Sequence, residues 1–205
     1  MKKILALVLA LTMVMAMAAC TPATNNPGTT EATTEATTEA TENNNPVQGS
    51  DSALELLTNI WTAFPEEGKF PVMGGDVENP NWEGPGSVTL PGAEGNALWN
   101  LNIPDDQLPN IAEAATMIHA MNTNTFACGA LKLAEGADKA AVAKAIADGI
   151  LGTNWMCGFP ERMVVVSANG CLVVAFGHEM NITNLVNAIN TVDANAQVLH
   201  NETIG

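Results

Sequence analysis

The residues of this 205-residue chain best suited to chemistry are its four cysteines and three histidines. Cys157 lies in the segment NWMCGFPER (154–162), where it would act as a nucleophile only with a base and a lowered pKa. His178 and His119 are the candidate bases for a thiol-dependent enzyme or redox protein. The segment lacks a second cysteine two residues later, and large apolar side chains crowd into it. We therefore expect Cys157 to be a buried part of the core.

Three cysteines follow Cys20, and an odd number permits one disulfide at most. The leading pairs are Cys128–Cys171, on strands predicted to be neighbours, and Cys157–Cys171. Either bond needs Cα atoms roughly 4.4–6.8 Å apart. Because cysteine is also readily buried as a small hydrophobic residue, we favour three unpaired thiols.

Soft metal ligands recur every second residue at Met117, His119 and Met121. A strand would align them on one face, where Cys128 could join them, and such ligands suit Cu(I). A helix would instead place both methionines in the core. No close pair of histidines or cysteines predicts zinc, and the acids around Asp76 do not follow EF-hand spacing. We expect no metal and no cofactor; a metal-binding lipoprotein is the weakest alternative.

Motifs of common enzymes are absent from the sequence, including the Walker loop, GxGxxG, GxSxG and HExxH. The chain has no tyrosine and only 4% aromatic residues, so the composition predicts no sugar-binding platform despite four tryptophans. These absences favour a binding or assembly domain over an enzyme.

The N-terminus carries a targeting signal. Two lysines precede the apolar run Ile4–Met17, and two alanines lead to Cys20. This pattern predicts a secretory signal peptide over residues 1–19. The cysteine at the cleavage point resembles the lipobox of bacterial lipoproteins, in which Cys20 becomes a lipidated N-terminus that anchors the protein on the extracytoplasmic face of the cell membrane. Because Met17 replaces the usual leucine, ordinary cleavage without lipidation is the alternative.

The segment after the signal has the composition of a tether. Residues 29–42 read TTEATTEATTEATE, between Asn- and Pro-rich ends. Ordering such a segment would cost backbone entropy without burying apolar surface. We therefore predict a disordered tether over residues 20–50 and a single globular domain over residues 51–205.

Charge restricts the partners of the mature chain. All 22 acidic residues but only five of the seven basic ones follow Cys20, so the net charge changes from −15 to −17 once the signal is removed. Such a surface repels nucleic acid and anionic membrane. The predicted contact with the membrane is therefore the lipid at Cys20.

Hydrophobic periodicity and turn residues define the elements of the domain. A Gly- and Pro-rich segment over 65–97 is predicted to wrap over the core. Asn169-Gly170 predicts a two-residue hairpin turn. The predicted helices cover 52–64, 108–121, 138–151 and 181–192, and the predicted strands cover 97–103, 125–133, 162–168, 171–177 and 196–200.

From Thr125 onward the order is strand–helix–strand–strand–helix–strand, which predicts an α+β, ferredoxin-like α/β sandwich. Both helices would then cover one face of the sheet. Yet the hairpin strands are apolar on both faces, so the other face needs a cover. We expect the N-terminal helix and the wrapping segment to supply it, and a protein partner or dimer across the sheet face is the alternative.

Four stretches carry a resemblance to a known family: FPVMGGD (70–76), MIHAMNTNTFACGALKL (117–133), WMCGFPERMVV (155–165) and VVAFG (173–177). The chain resembles an uncharacterised family of Gram-positive bacterial lipoproteins with a signal peptide, a Thr/Glu-rich tether and one small α/β domain. The resemblance implies localisation and single-domain organisation, and it brings no catalytic residues.

The sequence thus predicts a membrane-anchored lipoprotein with a non-catalytic binding or assembly domain and an unknown ligand. The candidate site is a cleft between the VMGGD loop, the segment Met117–Asn124 and the WMCGFP loop. Its expected lining residues are Met73, Asp76, Met117, His119, Met121, Trp155, Cys157 and Phe159.

Overall fold

The computed structural model of the protein describes residues 52–90 and 98–205. The predicted signal peptide, Cys20 and the tether lie outside the described residues. No helix within the described ranges is long and apolar enough to cross a membrane.

The described chain contains three α-helices and seven strands, joined in places by short 3-10 turns. The helices are α1 (Ala53–Ala63), α2 (Lys139–Leu151) and α3 (Glu179–Val192). The strands are β1 (Val72–Met73), β2 (Gly86–Val88), β3 (Ile111–His119), β4 (Phe126–Leu133), β5 (Arg162–Ala168), β6 (Cys171–Gly177) and β7 (Gln197–Thr203). The 3-10 turns cover Glu66–Gly68, Trp99–Leu101, Asp105–Asn110 and Thr123–Thr125.

One antiparallel sheet contains all seven of these strands, in the order β1-β3-β4-β6-β5-β7, with β2 also paired to β3. The predicted α+β class is confirmed. The ferredoxin-like topology is not confirmed, because the sheet is larger than in that fold and β7 pairs with β5 instead of β4.

The position of β7 decides where the helices lie. β4 and β5 are parallel to each other, as are β6 and β7, because each pair flanks a common antiparallel neighbour. The crossovers through α2 and α3 both run towards the β7 edge, but they start from antiparallel strands. Since crossovers between parallel strands are right-handed, their helices must fall on opposite faces. The structure accordingly has α3 on one face and α2 on the other.

The hairpin strands bury both faces, as their sequence predicts. Val164, Val166 and Val173 pack towards α1 and α3. Met163 and Val165 pack with α2 on the opposite face. The N-terminal helix is therefore part of the cover, as predicted, and elements of the same chain bury both faces of the hairpin. The turn is also as predicted: Asn169-Gly170 has positive φ at both residues, 42° and 80°.

Two predicted elements are wrong. The helix predicted over 108–121 is a 3-10 turn followed by β3, and the strand predicted over 97–103 contains the 3-10 turn Trp99–Leu101. Ile111, Ala115 and Ile118 have helical spacing, but β3 lies inside the sheet and most of its side chains are buried. A short apolar run that is buried on both faces cannot be told from a helix by periodicity.

The described cysteines are unpaired. Cys128 lies opposite Ala175 on β6, whereas Cys171 lies opposite Lys132 on β4. This offset of four residues separates the two thiols by about 13 Å along the strands, too far for a disulfide. Burial raises the pKa of both thiols, with the Glu113 carboxylate contributing at Cys171.

The VMGGD loop is glycine-rich for steric reasons. A Cβ on Gly74 would lie 2.3 Å from the Thr116 carbonyl oxygen and 2.4 Å from the Gly86 nitrogen. Gly74 also pairs with Asn81 in an isolated bridge. Residue 74 is a glycine because backbone segments approach each other closely where β2 pairs with β3.

We predict that Gly74→Ala lowers the free energy of unfolding by about 3 kcal/mol or more, because backbone atoms must move to admit the methyl group. Gly84→Ala is the matched control, since its Cβ would find its nearest neighbour at 3.9 Å. Urea unfolding followed by tryptophan fluorescence measures both variants. Equal stability of the two variants would contradict this account of the loop.

Candidate functional site

An open cleft with a volume of about 690 Å³ lies at one end of the sheet. Three segments form it: residues 118–124, which run from the end of β3 into its connection to β4, residues 153–157 between α2 and β5, and residues 99–102. Met73 of β1 completes the wall. The volume is within the range of small-molecule sites in proteins.

Two asparagines hold the cleft together. The Asn124 side-chain amide donates to the carbonyl oxygens of Met156 (2.9 Å) and Gly158 (3.1 Å), and Asn122 donates to that of Cys157 (3.4 Å). The Asn122 Oδ1 atom in turn accepts from the Asn124 backbone amide at 3.0 Å. These bonds attach the WMCGFP loop to the β3–β4 connection, more than thirty residues away in sequence.

The WMCGFP loop exposes most of its large apolar side chains. Of Trp155, Met156 and Phe159, only Trp155 packs inward, with its ring centroid 4.8 Å from that of Phe176. Met156 and Phe159 are 77% and 73% exposed, and Cys157 is exposed as well. The expectation that Cys157 is buried is therefore wrong. Its backbone has a φ of 60°, and together with Gly158 it makes the sharp turn that projects these side chains outward.

Five of the eight predicted cleft residues line the cleft: Met73, His119, Met121, Trp155 and Cys157. The other three do not. Met117 is fully buried opposite Cys128, and Phe159 points to solvent outside the cleft. The Asp76 carboxylate accepts from the backbone amide (3.0 Å) and the hydroxyl (2.6 Å) of Thr89.

His119 is held by its own connection. Its Nδ1 atom accepts from the backbone amides of Met121 (3.1 Å) and Asn122 (3.4 Å), and its ring stacks on Phe70 at 5.1 Å. Because Nδ1 accepts, the neutral ring carries its proton on Nε2. Desolvation, and secondarily the charge of His178, lowers the pKa of His119 below 6.5. The ring therefore faces the cleft as a neutral hydrogen-bond donor.

The predicted catalytic pairs do not form. Cys157 makes no hydrogen bond through its sulfur within the described ranges, and the Nδ1 atom of His119 is occupied. His178 is the exposed N-cap residue of α3 and does not line the cleft. A nucleophile needs its base within hydrogen-bond reach, although such contacts are often longer before substrate binds.

The soft ligands do not converge on one point. Met117 and Cys128 lie inside the core, whereas Met121 is 85% exposed beyond the end of β3. Within the described ranges, no group of three or more His, Cys, Asp or Glu side chains is placed to hold a metal ion.

Sequence reasoning missed a second set of cleft residues: Trp99, Asn100, Asn102 and Asn154. The three asparagine amides make no hydrogen bond to the rest of the described chain, and Trp99 is 73% exposed. Among the described residues, no Asp, Glu, Lys or Arg side chain lines the cleft. The five asparagines of the cleft, at positions 100, 102, 122, 124 and 154, were the available signal, but they are spread along the sequence.

Comparison with protein-family models, with curated proteins and with solved structures finds no match for this chain. The site must therefore be interpreted from its own geometry.

We predict that acid destabilises the protein through His119. Its pKa is lowered in the folded state, so between that pKa and 6.5 the unfolded chain binds more protons. The contribution of His119 to stability is therefore complete above pH 6.5 and is lost as the pH falls through that window. Urea unfolding at several pH values should show this loss in the wild-type protein and a smaller loss in His119→Gln.

Two further variants test the cause of the shift. His178→Gln should raise the pKa of His119 in an NMR titration, because it removes the charge that opposes protonation. His200→Gln, on β7, is the control and should leave that pKa unchanged. An unaltered His119 titration in His178→Gln would refute the electrostatic part of the explanation.

Proposed function

We propose that this protein is a membrane-anchored, extracytoplasmic lipoprotein whose domain binds a small ligand in the cleft without transforming it. The observation that carries the proposal is the cleft itself. Three separate chain segments form it, two of them are joined through asparagine side chains, and three further amides and one indole ring are left unused by the fold. Polar groups that the fold does not require are available to a ligand.

The arrangement of side chains supports binding over catalysis. The cleft has one exposed thiol and one histidine, but the accepting nitrogen of that histidine is already engaged. Within residues 52–90 and 98–205, no carboxylate, lysine or arginine side chain lines the wall to shift the pKa of a reacting group. Hydrogen-bond donors and acceptors are present without the general base that acyl or hydrolytic chemistry needs.

The proposal includes a lipid anchor at Cys20. The lipobox-like cysteine and the acidic tether are features of the sequence, and we infer from them an extracytoplasmic location on the cell membrane, in agreement with the resemblance to the lipoprotein family. As a flexible coil, residues 21–50 would span about 30 Å. A tether of that reach would keep the cleft clear of the lipid surface.

We expect the mature chain to carry fatty acid at Cys20. Cells expressing the full chain and fed an alkyne-tagged fatty acid should yield labelled protein, because lipidation at this cysteine accompanies signal cleavage. Cys20→Ser should abolish the label, and Cys157→Ser should retain it. A cleaved but unlabelled wild-type protein would establish the alternative of ordinary secretion.

A thiol-dependent enzyme is the second candidate, because Cys157 is exposed and lines the same cleft as His119. If the domain only binds, iodoacetamide should alkylate Cys157 at neutral pH at the rate of an unstructured cysteine peptide. The buried Cys128 and Cys171 should react only after denaturation. A much faster reaction of Cys157, slowed by His119→Gln, would support the enzyme and contradict our proposal.

A further inference from the structure

We propose that the ligand of the cleft is an uncharged saccharide, held by Trp99 on its ring face and by the amides of Asn100, Asn102 and Asn154 on its hydroxyl groups. This inference rests on the proposed binding function and specifies its ligand class. It revises the expectation from composition that the chain has no sugar-binding platform.

The lining of the cleft differs in charge from the protein as a whole. The chain carries a net charge of −15, yet none of the described residues that line the cleft is acidic or basic. A charged ligand would give up hydration there without meeting a counter-ion, which is costly. An anion would in addition be repelled by the acidic protein as a whole. The wall therefore selects against ionised ligands of either sign.

The asparagine amides of the cleft match the hydrogen-bonding chemistry of sugar hydroxyl groups. A side-chain amide offers two donors and a two-lone-pair acceptor on adjacent atoms. A sugar hydroxyl is likewise both donor and acceptor, so neighbouring hydroxyls can pair with both ends of one amide. Asn122 and Asn124 are occupied by the WMCGFP loop, whereas Asn100, Asn102 and Asn154 are uncommitted within the described chain.

Exposed apolar side chains lie beside these amides in the cleft. Trp99, Met121 and Met156 line the cleft and are 73%, 85% and 77% exposed. Large apolar side chains gathered at one concave surface indicate a contact for a ligand. The face of an aromatic ring carries negative charge density, which attracts the polarised C–H groups on the ring face of a sugar.

The left-handed backbone of Asn102 helps to place the turn that carries Trp99 against α2. Its φ is 53°, and its carbonyl oxygen would lie 3.0 Å from a Cβ at Gly149 of α2. The 3-10 turn that carries Trp99 therefore rests directly on α2. This contact fixes the indole and the two neighbouring asparagines on the core of the domain, as a stacking platform requires.

The test uses the full mature protein in detergent, with its four tryptophans labelled for NMR. The probes are maltose, cellobiose and N,N′-diacetylchitobiose, the charged sugars glucosamine and glucuronate, and the uncharged peptide acetyl-trialanine amide. At least one neutral disaccharide should shift the indole signals of Trp99 and Trp155 and leave those of Trp61 and Trp82 unchanged. Each charged sugar should bind more weakly than that disaccharide.

Variants test the assigned residues. Trp99→Ala and Asn102→Ala should each weaken saccharide binding at least about fivefold, and Trp99→Phe should recover part of the loss. Trp82→Ala is the matched control, because Trp82 is 63% exposed but lies outside the cleft. Asn195→Ala serves the same purpose for the amides. Thermal unfolding confirms that each variant is folded.

The outcomes separate the two proposals. If the peptide shifts the Trp99 and Trp155 signals and no saccharide does, the saccharide inference is overturned and the binding function stands. If no probe of any class shifts them, both proposals fail. If a charged sugar binds more tightly than every neutral one, the inference that the ligand is uncharged is overturned.

Discussion

The structure depends on the burial of both faces of one hairpin. Every residue of β6 is buried, and its partner strands β4 and β5 are nearly so. A sheet that is apolar on both sides must be covered on both sides, since each exposed face would leave several branched side chains in water. This requirement accounts for α1 and α3 on one face, and for α2 with the segment around Leu101 on the other.

The same requirement positions the cleft. α2 must cross from β4 to β5, and its return loop reaches the sheet at the end where β3 turns into β4. Because two chain segments meet there, their polar backbone groups need partners, and Asn122 and Asn124 supply them. The turn at Trp99 reaches the same end because Leu98 and Leu101 are buried in the core beside α2. The cleft is thus formed by three connections that the core brings together.

The chemistry of the cleft follows from what these connections leave unused. The carboxylate of Glu161, just before β5, serves the fold: it accepts from the first amide of α3. The thiols of Cys128 and Cys171 are core residues. Among the described residues, what remains at the surface of the cleft is amide, hydroxyl, indole, thioether, one exposed thiol and one neutral imidazole. Such a set would recognise a ligand by shape and hydrogen bonding.

The sequence by itself determined those features that are encoded locally. The alternation along the hairpin strands predicted both buried faces, and Asn169-Gly170 predicted the turn, because its backbone conformation depends only on the two residues. The spacing of apolar residues also predicted the three α-helices. Five of the eight predicted cleft residues were identified because they lie on segments with recognisable turn residues.

Tertiary structure alone decided the rest. The segment Ile111–His119 is a strand because it lies between β4 and the short edge strands, although its apolar spacing also fits a helix. The exposure of Cys157 followed from a backbone turn that Asn122 and Asn124 fix from a distant segment. The contribution of Trp99, Asn100 and Asn102 to the cleft depends on the packing of Leu101, a contact far apart in sequence. Non-local contacts of this kind form only when the core packs together, so no local sequence pattern predicts them.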